Sequence, residues 1–326
     1  MDSNLDQLLD RKRLRRKLTV WRVVAFIAIV IGIIGIAVSV ADFRDLNKRA
    51  PHIARVEVTG FINAERYARE QLEKIRKDNN VKAVILSVNS PGGTTVGGEQ
   101  LHNALREVAE EKPLVASVGS LAASAGYMVA VASDHVVAPR TAIVGSIGVL
   151  FQYPNVERLL DTVGIEFNEI KSSPLKAEPS PFNETPEEAR AMLETMLLDT
   201  YDWFAGLVTD RRQLSPSEAE AVLNGAVFTG KQALENRLID AIGGEDTAKQ
   251  WLIDEKGIDK DLQIINWSLT KPRDELFGTR AVVFSILRTL GLGDFADASG
   301  QVLQISRNSQ LDGFLSVWQA EKYVKE

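Results

Sequence analysis

The chain has 326 residues, 45% hydrophobic and 25% charged, with a net charge of −6, so it can bury a sizeable core and carries no basic surplus that would suit nucleic acid. It has no cysteine, which excludes disulfides, thiolate metal sites and a cysteine nucleophile. Its three histidines are His52, His102 and His135.

Residues 1–22 form a basic segment that includes RKRLRRK at 11–17. Val23 to Ala41 is then apolar apart from Gly32, Gly35 and Ser39, bounded by Arg22 and Asp42. At helical rise this run spans roughly 28 Å, close to the hydrocarbon thickness of a bilayer. The run predicts one transmembrane helix at 23–41. The basic cluster places 1–22 in the cytoplasm and the rest beyond the inner or plasma membrane, in the periplasm of a Gram-negative cell. Ser39-Val40-Ala41 also has the small residues of a signal-peptide cleavage site, although the apolar run is longer than such peptides carry.

After a linker at 42–52 the pattern alternates strand and helix. Strands are expected at Ile53–Val58, Val81–Val88, Pro113–Val118, His135–Ala138 and Ala142–Val149. Helices are expected at Ala64–Lys77, from Val96 to Glu110, and within Ser120–Ser133. The run VKAVILSV at 81–88 is nearly all apolar, as in a strand buried on both faces. This alternation predicts an α/β domain with a mostly parallel sheet. Thr185-Pro186-Glu187-Glu188 reads as a capping box that starts a long helix through Val208. Shorter helices follow near 215–223 and 230–236. The domain is drawn at 53–262, and 263–326 is a C-terminal extension suited to oligomer contacts, with an apolar stretch at Ala281–Leu292.

Two segments suit chemistry. Asn89-Ser90-Pro91-Gly92-Gly93 reads as a turn after a buried strand, freeing backbone N–H groups of the kind an oxyanion hole uses. Leu121-Ala122-Ala123-Ser124-Ala125-Gly126-Tyr127 sets one serine among small residues, at a strand-to-helix turn related to the Gly-x-Ser-x-Gly elbow. A histidine base for Ser124 is poorly supplied: only His135 follows it, inside an apolar strand. A lysine held neutral by burial can serve instead. Lys171 and Lys176, in the Ser- and Pro-rich stretch 170–179, are both candidates, and local sequence does not choose between them. No Walker, dinucleotide, zinc or calcium pattern appears, so neither cofactor nor metal is expected.

Four segments, Asn89–Gly93, Ala122–Tyr127, Gly145-Ser146-Ile147-Gly148-Val149 and Thr229-Gly230-Lys231-Gln232-Ala233, together resemble the signal peptide peptidase A family, over roughly 53–250. The resemblance implies a fold related to the Clp protease and crotonase domains, and a membrane-anchored serine endopeptidase acting on hydrophobic peptides such as remnant signal peptides. It also implies that Ser124 is the nucleophile, Lys176 the general base, Ser146 the residue that orients the lysine, and the N–H groups of Gly93 and Ala125 the oxyanion hole. The chain departs from the family's usual lysine stretch at Ser173 and Ala177, which leaves Lys171 as the other candidate base. Homo-oligomers whose subunits complete one another's sites are implied too. A catalytically inactive oligomeric scaffold at the membrane is the competing reading.

Overall fold

A computed structural model describes residues 21–22, 26–27, 32, 47–270 and 315–317. Most of the expected transmembrane segment 23–41, and all of Ala281–Leu292, lie outside these residues. Among the described residues no helix is long and apolar enough to cross a membrane. Contacts divide the chain into two units, 1–51 and 52–326, and the second holds the α/β domain.

The second unit opens with β1 (His52–Ile62), α1 (Arg66–Lys77) and β2 (Val81–Thr94). Next come α2 (Thr95–Glu111) and β3 (Leu114–Ala123). β2 pairs in parallel with β1 on one edge and with β3 on the other, and the two helices make the crossovers. Ile53, Ala83, Val84, Ile85, Leu86, Leu114, Val115 and Ala116 are fully buried, as expected for strands covered on both faces.

Beyond β3 lie α3 (Ala125–Ala130), β4 (His135–Ala138) and β5 (Ile143–Gly145). The sheet forks at β3. Its first half pairs with β4, Val115 to His135 through Ser117 to Val137, and its last half with β5, Leu121 to Ile143 through Ala123 to Gly145. The fork ends at Ser124.

The chain then runs out through α4 (Glu157–Val163) and returns into α5 (Glu187–Arg212). α6 (Pro216–Val222), β6 (Val227–Thr229), α7 (Gly230–Glu235), β7 (Ala241–Ile242) and α8 (Glu245–Lys256) complete the domain as far as residue 256. β6 is antiparallel to β5, and β7 is parallel to β4. The sheet is therefore mixed but mostly parallel, as expected.

Three local expectations need correction. The 89–93 segment is not a turn: β2 stays extended through it to Thr94, with Gly92 and Gly93 paired to Phe61 and Ile62. Glycine makes this possible, since a Cβ on Gly93 would stand 2.0 Å from the Ile62 carbonyl oxygen. The capping box at 185–188 does not form: α5 begins at Glu187 with no side-chain cap, because the Thr185 hydroxyl is engaged by Tyr153 Oη at 2.8 Å. His52 is no linker residue; it is fully buried at the start of β1 and accepts a hydrogen bond from Trp267 Nε1 at 3.1 Å. Of α5 only Ala189, Phe204, Ala205 and Val208 are buried, while Leu193 and Leu197 are half-buried and Met196 is 47% exposed.

Residues beyond 262 add two strands to this sheet. β8 (Gln263–Trp267) pairs in parallel with β1, and β9 (Leu315–Val317) is antiparallel to the end of β2.

Candidate active site

Ser124 links the end of β3 to the start of α3. Its backbone lies at φ 58° and ψ −123°, a conformation non-glycine residues rarely adopt and one that costs on the order of 1–3 kcal/mol. The turn is held from both sides: Ser124 N–H donates to the Gly145 carbonyl at 2.8 Å, and Met128 N–H donates to the Ser124 carbonyl at 2.9 Å. Small neighbours let other backbone come close. A Cβ on Gly126 would lie 2.6 Å from the Ser90 carbonyl oxygen, and one on Gly98 would lie 3.0 Å from Ala125 Cβ. The serine is 1% exposed.

The far end of α3 is anchored by donors distant in sequence. His102 Nδ1 lies 2.8 Å from the Met128 carbonyl oxygen. Arg106 donates to the Ala132 carbonyl at 2.7 Å, and Arg211 donates to the carbonyls of Val131 and Ser133 at 3.1 and 2.9 Å. They satisfy carbonyls that a helix terminus leaves without intrahelical partners. Tyr127 Oη, fully buried, donates to the Leu238 carbonyl at 2.7 Å, and burial pushes its phenol pKa up.

Gly93 and Ala125, the expected oxyanion donors, flank this elbow on β2 and α3. Ser90, given no role from sequence, fixes the residue before the first of them. Its buried hydroxyl donates to the Gly60 carbonyl at 2.6 Å and accepts from Gly92 N–H at 3.1 Å. The only signal for it in the sequence is a hydroxyl directly after a buried strand.

The edge of β2 that faces β3 changes partner here. β3 pairs along it as far as Ser90 with Ala122, then turns away at Ser124. β9 takes its place, with Val317 opposite Gly92, Ser316 opposite Gly93 and Leu315 opposite Thr94, and it also touches α3. A segment of the chain thus lies extended along the strand that carries Gly93, beside the serine helix.

Ser146 directly follows Gly145, the residue paired with Ala123. It is half-buried at φ 52°, and its N–H donates to the Ala226 carbonyl at 2.7 Å. Ser124, Ser146, Gly93 and Ala125 are thereby gathered at one end of the sheet.

Lys176 is placed differently. It is exposed on the arm 150–186, which is cross-tied by Val156 N–H to the Pro181 carbonyl at 2.8 Å and by the Phe167 and Phe182 rings at 4.2 Å. Lys171, the other candidate base, bridges Glu169 and Glu178 at 2.5 and 2.6 Å. Hydrogen bonds to Glu169 and then Glu178 raise its pKa, which keeps it protonated and argues against its acting as a base.

The histidines have structural partners. His102 and His52 are engaged as described, and His135 stacks on Trp251 with ring centroids 4.7 Å apart. Among the described residues no group of three His, Asp or Glu could hold a metal ion.

The sequence model of peptidase family S49 matches residues 106–259. A putative protease of Synechocystis is 37% identical over 210 residues, 64% of this chain and 76% of that protein. A putative protease of Methanocaldococcus jannaschii is 36% identical over 183 residues, covering 56% of this chain and 59% of its own length. A putative signal peptide peptidase SppA of Enterococcus faecium is 31% identical over 209 residues, covering 63% and 61%. The chain therefore spans less than two thirds of the latter two.

Proposed function

This chain belongs to peptidase family S49, the signal peptide peptidase A family, and from that premise we propose that it is a serine endopeptidase working through a Ser124–Lys176 dyad. The observation that carries the reading is the Ser124 elbow: a serine in a strained backbone conformation, at the fork of the sheet, among residues too small to block a carbonyl. In this mechanism Lys176 Nζ takes the Ser124 hydroxyl proton as Oγ attacks the scissile carbonyl. The N–H groups of Gly93 and Ala125 stabilise the oxyanion. Lys176 then returns the proton to the leaving amine, and water hydrolyses the acyl-enzyme. Ser146 orients the lysine.

The contrast between buried Ser124 and exposed Lys176 supports a homo-oligomer in which the arm of one copy reaches the serine of the next. So does the apolar surface of that arm: Leu159 is 62% exposed, Val163 60%, Ile165 54%, Phe167 42% and Ile170 106%. The extended pairing of β9 on Gly92–Thr94 suits a substrate bound as an added strand. Hydrophobic peptides, remnant signal peptides among them, fit a protease tethered by a helix at 23–41, with 1–22 cytoplasmic and the domain outside the membrane. Resistance to alkaline extraction, and digestion of the domain only from the extracytoplasmic side, would test that placement.

The deciding experiment is subunit complementation. Ser124→Ala and Lys176→Ala should each abolish peptide cleavage, and co-assembling the two inactive variants should restore a measurable share of it. If Ser124 of the wild-type oligomer resists every serine-directed probe, the chain is an inactive scaffold instead. If Lys176→Ala cleaves at the wild-type rate, the dyad is wrong.

A further inference from the structure

We propose that Lys171 is a positioning residue: its bridge between Glu169 and Glu178 closes the loop 172–177 at its base and presents Lys176 in a working geometry. The inference rests on the reading of Lys176 as the base.

The loop has little else to hold it. Within it are two short turn bonds, Lys176 N–H to the Ser173 carbonyl at 3.1 Å and Glu178 N–H to the Leu175 carbonyl at 3.4 Å. Its residues from Ser172 to Ala177 are exposed. At the base the picture reverses. Glu178 is 5% exposed and Lys171 20%, and Ser180 is buried. One carboxylate oxygen of Glu178 receives Lys171 Nζ, and the other accepts Ser180 N–H at 2.9 Å. Ser180 Oγ lies 3.4 Å from Glu169 Oε1, and Asn183 Nδ2 lies 3.4 Å from Glu169 Oε2. Residues 169 and 171 on the outgoing limb of the arm are thus tied to 178, 180 and 183 on the returning limb, with one ammonium between two carboxylates. A lone surface ion pair would do little, whereas a partly shielded network of charge-assisted bonds can fix a loop.

A displacement of about 1 Å at a catalytic group can cost on the order of 10²-fold in rate. Lys171→Met in the full chain is therefore expected to lower kcat, and the rate of fluorophosphonate labelling of Ser124, by about that factor, with KM and the melting temperature nearly unchanged. Glu178→Gln, which keeps the shape of the side chain, should give a smaller loss in the same direction. The decisive variant is Lys171→Arg. Arginine can bridge both carboxylates but stays protonated, so it cannot be a general base. Recovery of most of the activity in Lys171→Arg supports positioning. Wild-type rates in Lys171→Met, beside an inactive Lys176→Ala, would overturn the positioning role and leave the dyad standing. Loss in both Lys171 variants, with an active Lys176→Ala, would overturn both and make Lys171 the base.

Discussion

Ser124 and Ser146 are neighbours in register: each is the residue after a paired position, Ala123 and Gly145, on adjacent parallel strands, and each holds a positive φ, 58° and 52°. Strands paired this way lie about 4.8 Å apart. The two residues with left-handed backbone are therefore set side by side.

This relationship separates the backbone role of Ser146 from that of its hydroxyl. Ser146→Gly relieves the left-handed strain, worth up to about 1 kcal/mol in the right context, so its melting temperature should match or exceed wild type. Its activity should nevertheless fall about tenfold or more, as orientation of an acid–base group is lost. Ser146→Ala should lose similar activity without the gain in stability. Full activity in both variants would remove Ser146 from the site.

Gly126→Ala tests how closely α3 must approach β2. The added methyl would lie 2.6 Å from the Ser90 carbonyl oxygen and 3.2 Å from Ser90 Cβ, and both neighbours belong to a buried strand that cannot give way cheaply. Overpacking of this kind costs about 1–3 kcal/mol. Thermal unfolding should show that loss, and probe labelling of Ser124 should slow with it.

Much of the architecture could be read from the sequence, because strands such as Val81–Val88 carry their burial pattern locally. Ser124 was legible for the same reason: its small neighbours adjoin it. What escaped depends on residues remote in the chain. The straight path of β2 through Pro91–Gly93 is set by Phe61 and Ile62, and the anchoring of α3 by Arg106 and Arg211. The failed capping box at Thr185 has a similar cause, since its hydroxyl is claimed by Tyr153. The lysine was the least legible part. Lys171 and Lys176 look alike in local sequence; the family resemblance pointed to Lys176, and the placement of Glu169 and Glu178 sets Lys171 apart.

Acid should weaken the fold partly through Glu218. Hydrogen bonds from the Ser215 hydroxyl and N–H, then from Arg237, lower its pKa from the ordinary 4.5 to about 2. A carboxylate with a depressed folded-state pKa adds stability that is full above its unfolded value and lost as pH falls through the folded one. Its contribution should therefore disappear between pH 4.5 and about 2. Melting curves of Glu218→Gln should be flatter than wild type across that window. Parallel curves for the two proteins would mean that the contacts of Glu218 with Ser215 and Arg237 contribute nothing measurable.

The position of β9 predicts competition for the substrate edge. Leu315–Val317 pairs with the Gly92–Thr94 stretch on the side where β3 has turned away at Ser124, so a peptide bound as an added strand would need the same backbone groups. An attached segment competes at an effective concentration near the millimolar range, even when its intrinsic affinity is weak. A chain ending at Gly313 should therefore show a lower KM for peptides than the full chain, by several-fold or more, with kcat nearly unchanged. Added in excess, a synthetic peptide covering residues 311–320 should inhibit the shortened protein competitively. An unchanged KM, or inhibition that peptide substrate does not relieve, would place substrate binding elsewhere than along Gly92–Thr94.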